Sequence, residues 1–195
     1  MDIWNRVWGV CLNELQHVSF RYFVICSLVG AALVHVGCLI YVRVKRQAIH
    51  LSTEFVIILL ISYLVFIAQI TVLDRKLESG ARIFDTKGLW INKSMKQNLT
   101  NLLNVLLYVP LGILLAGLQL RKHRIIRILI TICFCFLISL LLESTQYISN
   151  RGYFEVDDIE ANMLGGLTGC IFLSMCSRAV RLFSMIRRCD HGKET

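Results

Sequence analysis

The chain has 195 residues, 56% hydrophobic and only 17% charged, with a single proline and a mean hydropathy of +0.63. A water-soluble domain carries about 25% charged residues, so secreted, fibrous and disordered classes are excluded. What remains is an all-α polytopic membrane bundle in which lipid replaces water around the fold. Lys and Arg exceed Asp and Glu by eight. In a chain this apolar, the excess is assigned to membrane orientation rather than to nucleic acid.

Residues 1–21 read as an interfacial amphipathic helix. Trp4, Val7, Trp8, Cys11, Leu12 and Leu15 recur at three-and-four spacing, with Asn5, Arg6, Asn13 and Glu14 off that stripe. No charged start or small-residue cleavage site marks a signal peptide. Five apolar stretches follow, at about 22–42, 55–73, 99–120, 126–149 and 158–178. Each is long enough to span the hydrocarbon at about 1.5 Å per residue. In lipid they must be helical, because no water is present to satisfy an open backbone. The predicted organisation is therefore a bundle over 22–178 and a basic cytoplasmic tail over 179–195. Five spans of about 20 residues leave no room for a second, soluble domain.

Charge sets the expected orientation. The connections 43–54 and 121–127 and the tail hold twelve basic residues, against nine on the other side. The tight cluster Arg121, Lys122, Arg124 and Arg127 belongs in the cytoplasm by the positive-inside rule. The N-terminus is then outside and the C-terminus inside.

With that orientation the polar residues gather in the outer half of the bilayer. Span two ends with Gln69, Thr71, Asp74 and Arg75, and span three begins with Asn98, Asn101, Asn104 and Tyr108. Span four ends with Ser139, Glu143, Gln146, Asn150 and Arg151, and span five starts with Asp157, Asp158 and Asn162. Ser139, Glu143, Gln146 and Asn150 step by four, three and four, one face of a helix. Such stripes are costly against lipid, so they are expected to face one another around an outward-opening polar cavity. Glu143 lies inside its span, where a carboxylate needs a cation or a proton; Arg75 and Arg151 are its candidate partners. This set reads either as a structural network locking the helices or as a ligand or catalytic site.

Gly165, Gly166 and Gly169 read as close helix packing rather than ligands. Pro110 removes the backbone bond to the Leu106 carbonyl and is expected to kink span three. The eight cysteines lie mostly in apolar runs and behave as small hydrophobes, not as a disulfide framework. The five histidines and the cysteines show no metal-ligand spacing, and no nucleotide loop or Ser-His-Asp set appears. No metal and no cofactor are implied.

The run from Asn101 to Gly112, with Asn104, Tyr108 and Pro110 inside it, resembles the signature of the VanZ-like family. So do Ser139 to Gln146 with Glu143, Arg151-Gly152, and Val156-Asp157-Asp158 followed by Asn162, Gly165, Gly166 and Gly169. Thr71-Val-Leu-Asp-Arg75 is similar to the family's Thr-Leu-x-x-Arg element. The resemblance covers about residues 55–173; Glu160-Ala161 departs from the apolar residues common before the Asn. It implies a small bacterial membrane protein whose family founder is linked to low-level resistance to teicoplanin, a glycopeptide bearing a lipid chain.

Two functions follow. In the first, a non-enzymatic cell-membrane protein engages a lipid headgroup, a lipid-linked envelope component or the lipid-bearing antibiotic. Arg75 and Arg151 contact the anionic group, and Asn104, Gln146 and Asn162 hydrogen-bond the ligand. In the second, a membrane-embedded enzyme modifies an envelope lipid headgroup, with Glu143 as general acid or base and Asp157 or Asp158 as the second carboxylate. A third possibility is a scaffold that uses residues 1–21 to contact another envelope protein. The orientation itself is directly testable: reporter fusions should place the 121–125 turn in the cytoplasm, and an external turn would overturn the assignment.

Overall fold

A computed structural model describes residues 20–45, 51–73, 84–85, 94–150 and 154–191. The predicted helix over 1–21 lies outside these residues but for its end. Among the described residues, five helices carry the fold. They are α1 (Phe20–Lys45), α2 (Leu51–Ala68), α3 (Met95–Gly117), α4 (Arg124–Ile148) and α5 (Val156–His191). A π-helical turn, Gln69–Leu73, prolongs α2. Two short strands, β1 (Phe84–Asp85) and β2 (Phe154–Glu155), pair in parallel, with Phe84 opposite Phe154.

Four of these helices are long and apolar enough to cross a membrane, over Thr53–Val72, Gln97–Gly117, Arg124–Ile148 and Val156–Val180. α1 contributes a shorter apolar segment, Val24–Gly37. The chain is a multi-pass, all-α membrane protein, as its composition predicts. Its surface is inverted relative to a soluble protein. Leu141, Ile148 and Met175 are 66%, 70% and 64% exposed, whereas Ser139, Glu143 and Gln146 are at most 3% exposed.

Local signals set the helix ends. Ser94 caps α3: its hydroxyl accepts from the Gln97 amide, and the Gln97 side chain accepts from the Ser94 amide, a reciprocal capping box. At the end of α4, Asn150 adopts a left-handed backbone with φ 55°. Asparagine tolerates that conformation and so stops the helix. Asn150 is therefore a terminator rather than the fourth member of the α4 polar face. Helix α3 continues through Pro110. α5 runs on past the apolar stretch to His191, so the basic segment after residue 178 begins as helix.

The most extensive helix contact is between α3 and α5. A Cβ on Gly165 would meet the carbonyl oxygen of Val105, one on Gly169 that of Val109, and one on Gly112 that of Gly166. Each approach is closer than any real Cβ contact, so the two backbones touch directly. Val105 facing Gly165 and Val109 facing Gly169 advance together, so α3 and α5 run parallel. Gly166 lies against Cys135 and so brings α4 onto the same seam. The glycines are packing residues, as predicted.

Side-chain bonds tie the remaining interfaces. The Tyr63 hydroxyl of α2 donates to the Leu107 carbonyl of α3 at 2.6 Å. His35 of α1 pairs with Glu54 of α2 at 2.5 Å. Arg127 of α4, 6% exposed, donates to the Ser174 hydroxyl of α5 at 2.7 Å. Cys26, Cys133, Cys135, Cys170 and Cys176 are free thiols.

The glycine seam is testable. Gly169→Ala drives a methyl into the α3 backbone and should destabilise the protein by about 1–3 kcal/mol, as overpacking does. Gly37→Ala meets nothing within 4 Å and should be neutral or slightly stabilising. Thermal unfolding of both variants in detergent is the measurement.

Candidate membrane-embedded polar site

One buried layer collects polar side chains from three helices and is edged by a strand. α4 supplies Ser139, Glu143 and Gln146, which are 0%, 3% and 1% exposed. Their spacing puts them on the inward face, while Leu141 and Thr145 between them point outward. α5 supplies Asp157, Asp158 and Asn162 from its first two turns, all buried. α3 supplies Asn101 and Tyr108, both buried.

The layer is cross-linked by hydrogen bonds between helices. The Asn101 amide donates to Asp157 Oδ2 at 3.0 Å, joining α3 to α5. The Asn162 amide donates to the Ser139 hydroxyl at 2.8 Å, joining α5 to α4. Glu143 Oε2 accepts from the backbone N–H of Glu155 at 3.1 Å. That bond anchors β2 to α4, and β2 in turn holds β1 from the α2–α3 connection. The Tyr108 phenol is fully buried within electrostatic reach of Glu143 and Asp158. The π-helical turn packs against α4 and places Gln69, 2% exposed, at the same end of the bundle. Its Thr71 hydroxyl bonds back to the Ile67 carbonyl at 2.8 Å.

Among the described residues, the charged side chains of this layer are acidic. Carboxylate oxygens of Glu155, Asp157 and Asp158 all lie within 4.8 Å of one another, with Glu143 bonded to the Glu155 backbone. Such a set suits a guanidinium or a hard, oxygen-seeking cation. Like charges this close repel one another, and a neighbouring cation relieves that repulsion.

Of the predicted site residues, Glu143, Gln146, Asp157, Asp158 and Asn162 fall in this layer. Asn104 is half-buried on α3 and joins none of its side-chain bonds among the described residues. Arg75 and Arg151 lie outside the described residues. Sequence reasoning passed over Glu155, whose only signal is its place just before the Asp157-Asp158 pair. Asn101 and Tyr108 stood in the α3 polar stripe, and their helical spacing was the signal for their roles.

The family described as VanZ/LLP1 matches residues 55–177. The chain belongs to the VanZ/LLP1 family. No curated protein and no solved structure matches it. The VanZ/LLP1 match runs from the first turns of α2 into α5, so it contains the glycine seam and every residue of the polar layer. α1 lies outside it.

A double-mutant cycle separates bonded amides from bystanders. Ser139→Ala and Asn162→Leu should each destabilise the protein, with a coupling energy of about 0.5–1.5 kcal/mol, the range for interhelical hydrogen bonds in membranes. Asn104→Leu should be near neutral in the same unfolding assay.

Proposed function

We propose that this VanZ-family protein uses the polar layer, at the outward end of the bundle, to engage the anionic headgroup of an envelope amphiphile. The candidate ligands are a membrane lipid, a lipid-linked envelope component and teicoplanin itself. The observation that carries the reading is the convergence of buried Glu143, Asp157 and Asp158 between α3, α4 and α5, with half-buried Glu155 beside them. Structural locking alone needs only amides and hydroxyls; a concentration of carboxylates calls for a fixed cation. Arg75 closely follows the α2 π-helical turn, and Arg151 falls between α4 and α5. In this scheme the acids clamp one edge of each guanidinium, leaving the other for a phosphate or carboxylate of the ligand, which the planar fork of arginine suits. Gln146, Asn162 and Asn104 supply neutral hydrogen bonds. Family membership links the chain to glycopeptide resistance.

The enzymatic alternative is favoured by one observation, the approach of three carboxylates within 4.8 Å. Glu143 would then act as general base or acid on a headgroup that Asp157 and Asp158 help to position. Lipid mass spectrometry separates the two readings. A headgroup change that depends on the protein and disappears with Glu143→Gln marks catalysis, and an unaltered lipid profile marks binding.

Cells expressing Arg75→Ala should lose protection against teicoplanin while their vancomycin sensitivity stays unchanged. Arg75→Lys should recover only part of the protection, because an ammonium lacks the bidentate fork. Full protection in Arg75→Ala would sink the headgroup scheme.

A further inference from the structure

The opposite end of the bundle holds a cavity that the polar layer does not explain. It has a volume of about 640 Å³ and lies between the start of α2 and the α3–α4 turn. Thr53 and Val56 form one side, and the turn residues from Leu118 to Lys122 form the other.

Its depth in the membrane follows from the helix ends. Thr53 opens the apolar span of α2, Gly117 closes that of α3, and Arg124 opens that of α4. The cavity therefore sits where three spans leave the hydrocarbon, at the level of lipid headgroups. Val56, Leu118 and Leu120 give it apolar walls, and Arg121 and Lys122 give it cations.

Those cations are uncommitted. Arg121, Lys122 and neighbouring Arg124 are exposed, and none pairs with a carboxylate among the described residues. Glu54, beside Thr53, is engaged by His35. α4 begins two residues after Lys122 with no side-chain cap on its first amides, so the positive end of its dipole adds to the field.

We propose that this cavity binds the headgroup of an anionic phospholipid, with Arg121 and Lys122 on the phosphate. The combination selects the ligand. Cations at headgroup depth favour net negative lipids, and the apolar walls receive the start of an acyl chain, which a free phosphate lacks. A phosphatidylcholine headgroup fails the first condition, because it is net neutral. The site is remote from the polar layer and does not depend on the function proposed for it.

The test uses the full chain in detergent, with lipid adducts counted by native mass spectrometry and stabilisation read from thermal unfolding. Phosphatidylglycerol should be retained and raise the unfolding temperature, and phosphatidylcholine should do neither. Arg121→Ala/Lys122→Ala, at two exposed positions, should keep the fold by circular dichroism and lose phosphatidylglycerol affinity by roughly tenfold or more. Equal retention of phosphatidylcholine, undiminished binding in the double variant, or equal stabilisation by millimolar inorganic phosphate would each overturn the proposal. Should the double variant misfold, Lys122→Glu alone serves, with loss of phosphatidylglycerol preference expected and retention decisive against it.

Discussion

The direct contact between the α3 and α5 backbones is the constraint on which the rest of the molecule depends. Lipid tails are as apolar as leucine, so burying leucine against leucine gives membrane helices little reason to associate. Close packing of main chain on main chain supplies that reason instead, and it needs positions without side chains. Gly112, Gly165 and Gly169 provide them, each at a point where a methyl would overlap a backbone atom of the facing helix. Gly166 does the same for the Cys135 side chain and so draws α4 onto the seam. Because the seam repeats every four residues, it fixes rotation and register together.

That register places the polar layer. Two turns before Gly165 on α5 lie Asp157 and Asp158, and one turn before Val105 on α3 lies Asn101, whose amide meets Asp157. Further along the seam, Asn162 reaches Ser139 across the α4 interface. A slip of either helix by one residue would turn these amides and acids toward acyl chains, where polar groups are expensive. The same bonds therefore penalise every other register. Packing brings the helices together, and the polar contacts make one arrangement better than its neighbours.

Most of this architecture was legible in the sequence because a membrane simplifies the problem. Spans must be helical and about 20 residues long, so hydropathy alone located five apolar stretches, four of which are helices long enough to cross while the first holds the shorter apolar segment Val24–Gly37. Polar residues must avoid lipid, so their helical spacing pointed inward: Ser139, Glu143 and Gln146 are buried while Leu141 is exposed. Periodicity on one helix cannot, however, choose partners on another. Asn101 and Asn104 stand one turn apart and read alike, yet only Asn101 reaches Asp157. Asn150 fitted the spacing of the α4 face but ends the helix in a left-handed conformation, because backbone termination is a local property that periodicity does not report. Glu155 was missed for a related reason. Its backbone N–H bonds Glu143 from a two-residue strand, which no residue pattern reports, and its carboxylate meets those of Asp157 and Asp158 only because that strand leads into α5.

The two ends of the bundle carry opposite chemistry. Acids gather at one end, where Glu143, Asp157 and Asp158 are buried. Cations gather at the other, at the rim, where they are exposed. Burial and exposure follow from what each charge must do. Rim cations hold the topology and meet lipid phosphates while staying hydrated, so they need no internal partner. Interior carboxylates have no such recourse and must be held by amides, backbone N–H groups or cations within the fold. Arg127 is the instructive exception, a basic residue in the first turn of α4 that is buried and bonded to Ser174. There the Ser174 hydroxyl, itself donating to the Cys170 carbonyl at 2.7 Å, joins the charge to the α5 backbone. The helices α4 and α5 are thus tied at both ends by polar contacts, one acidic and one basic, with Gly166 packed against Cys135 between them.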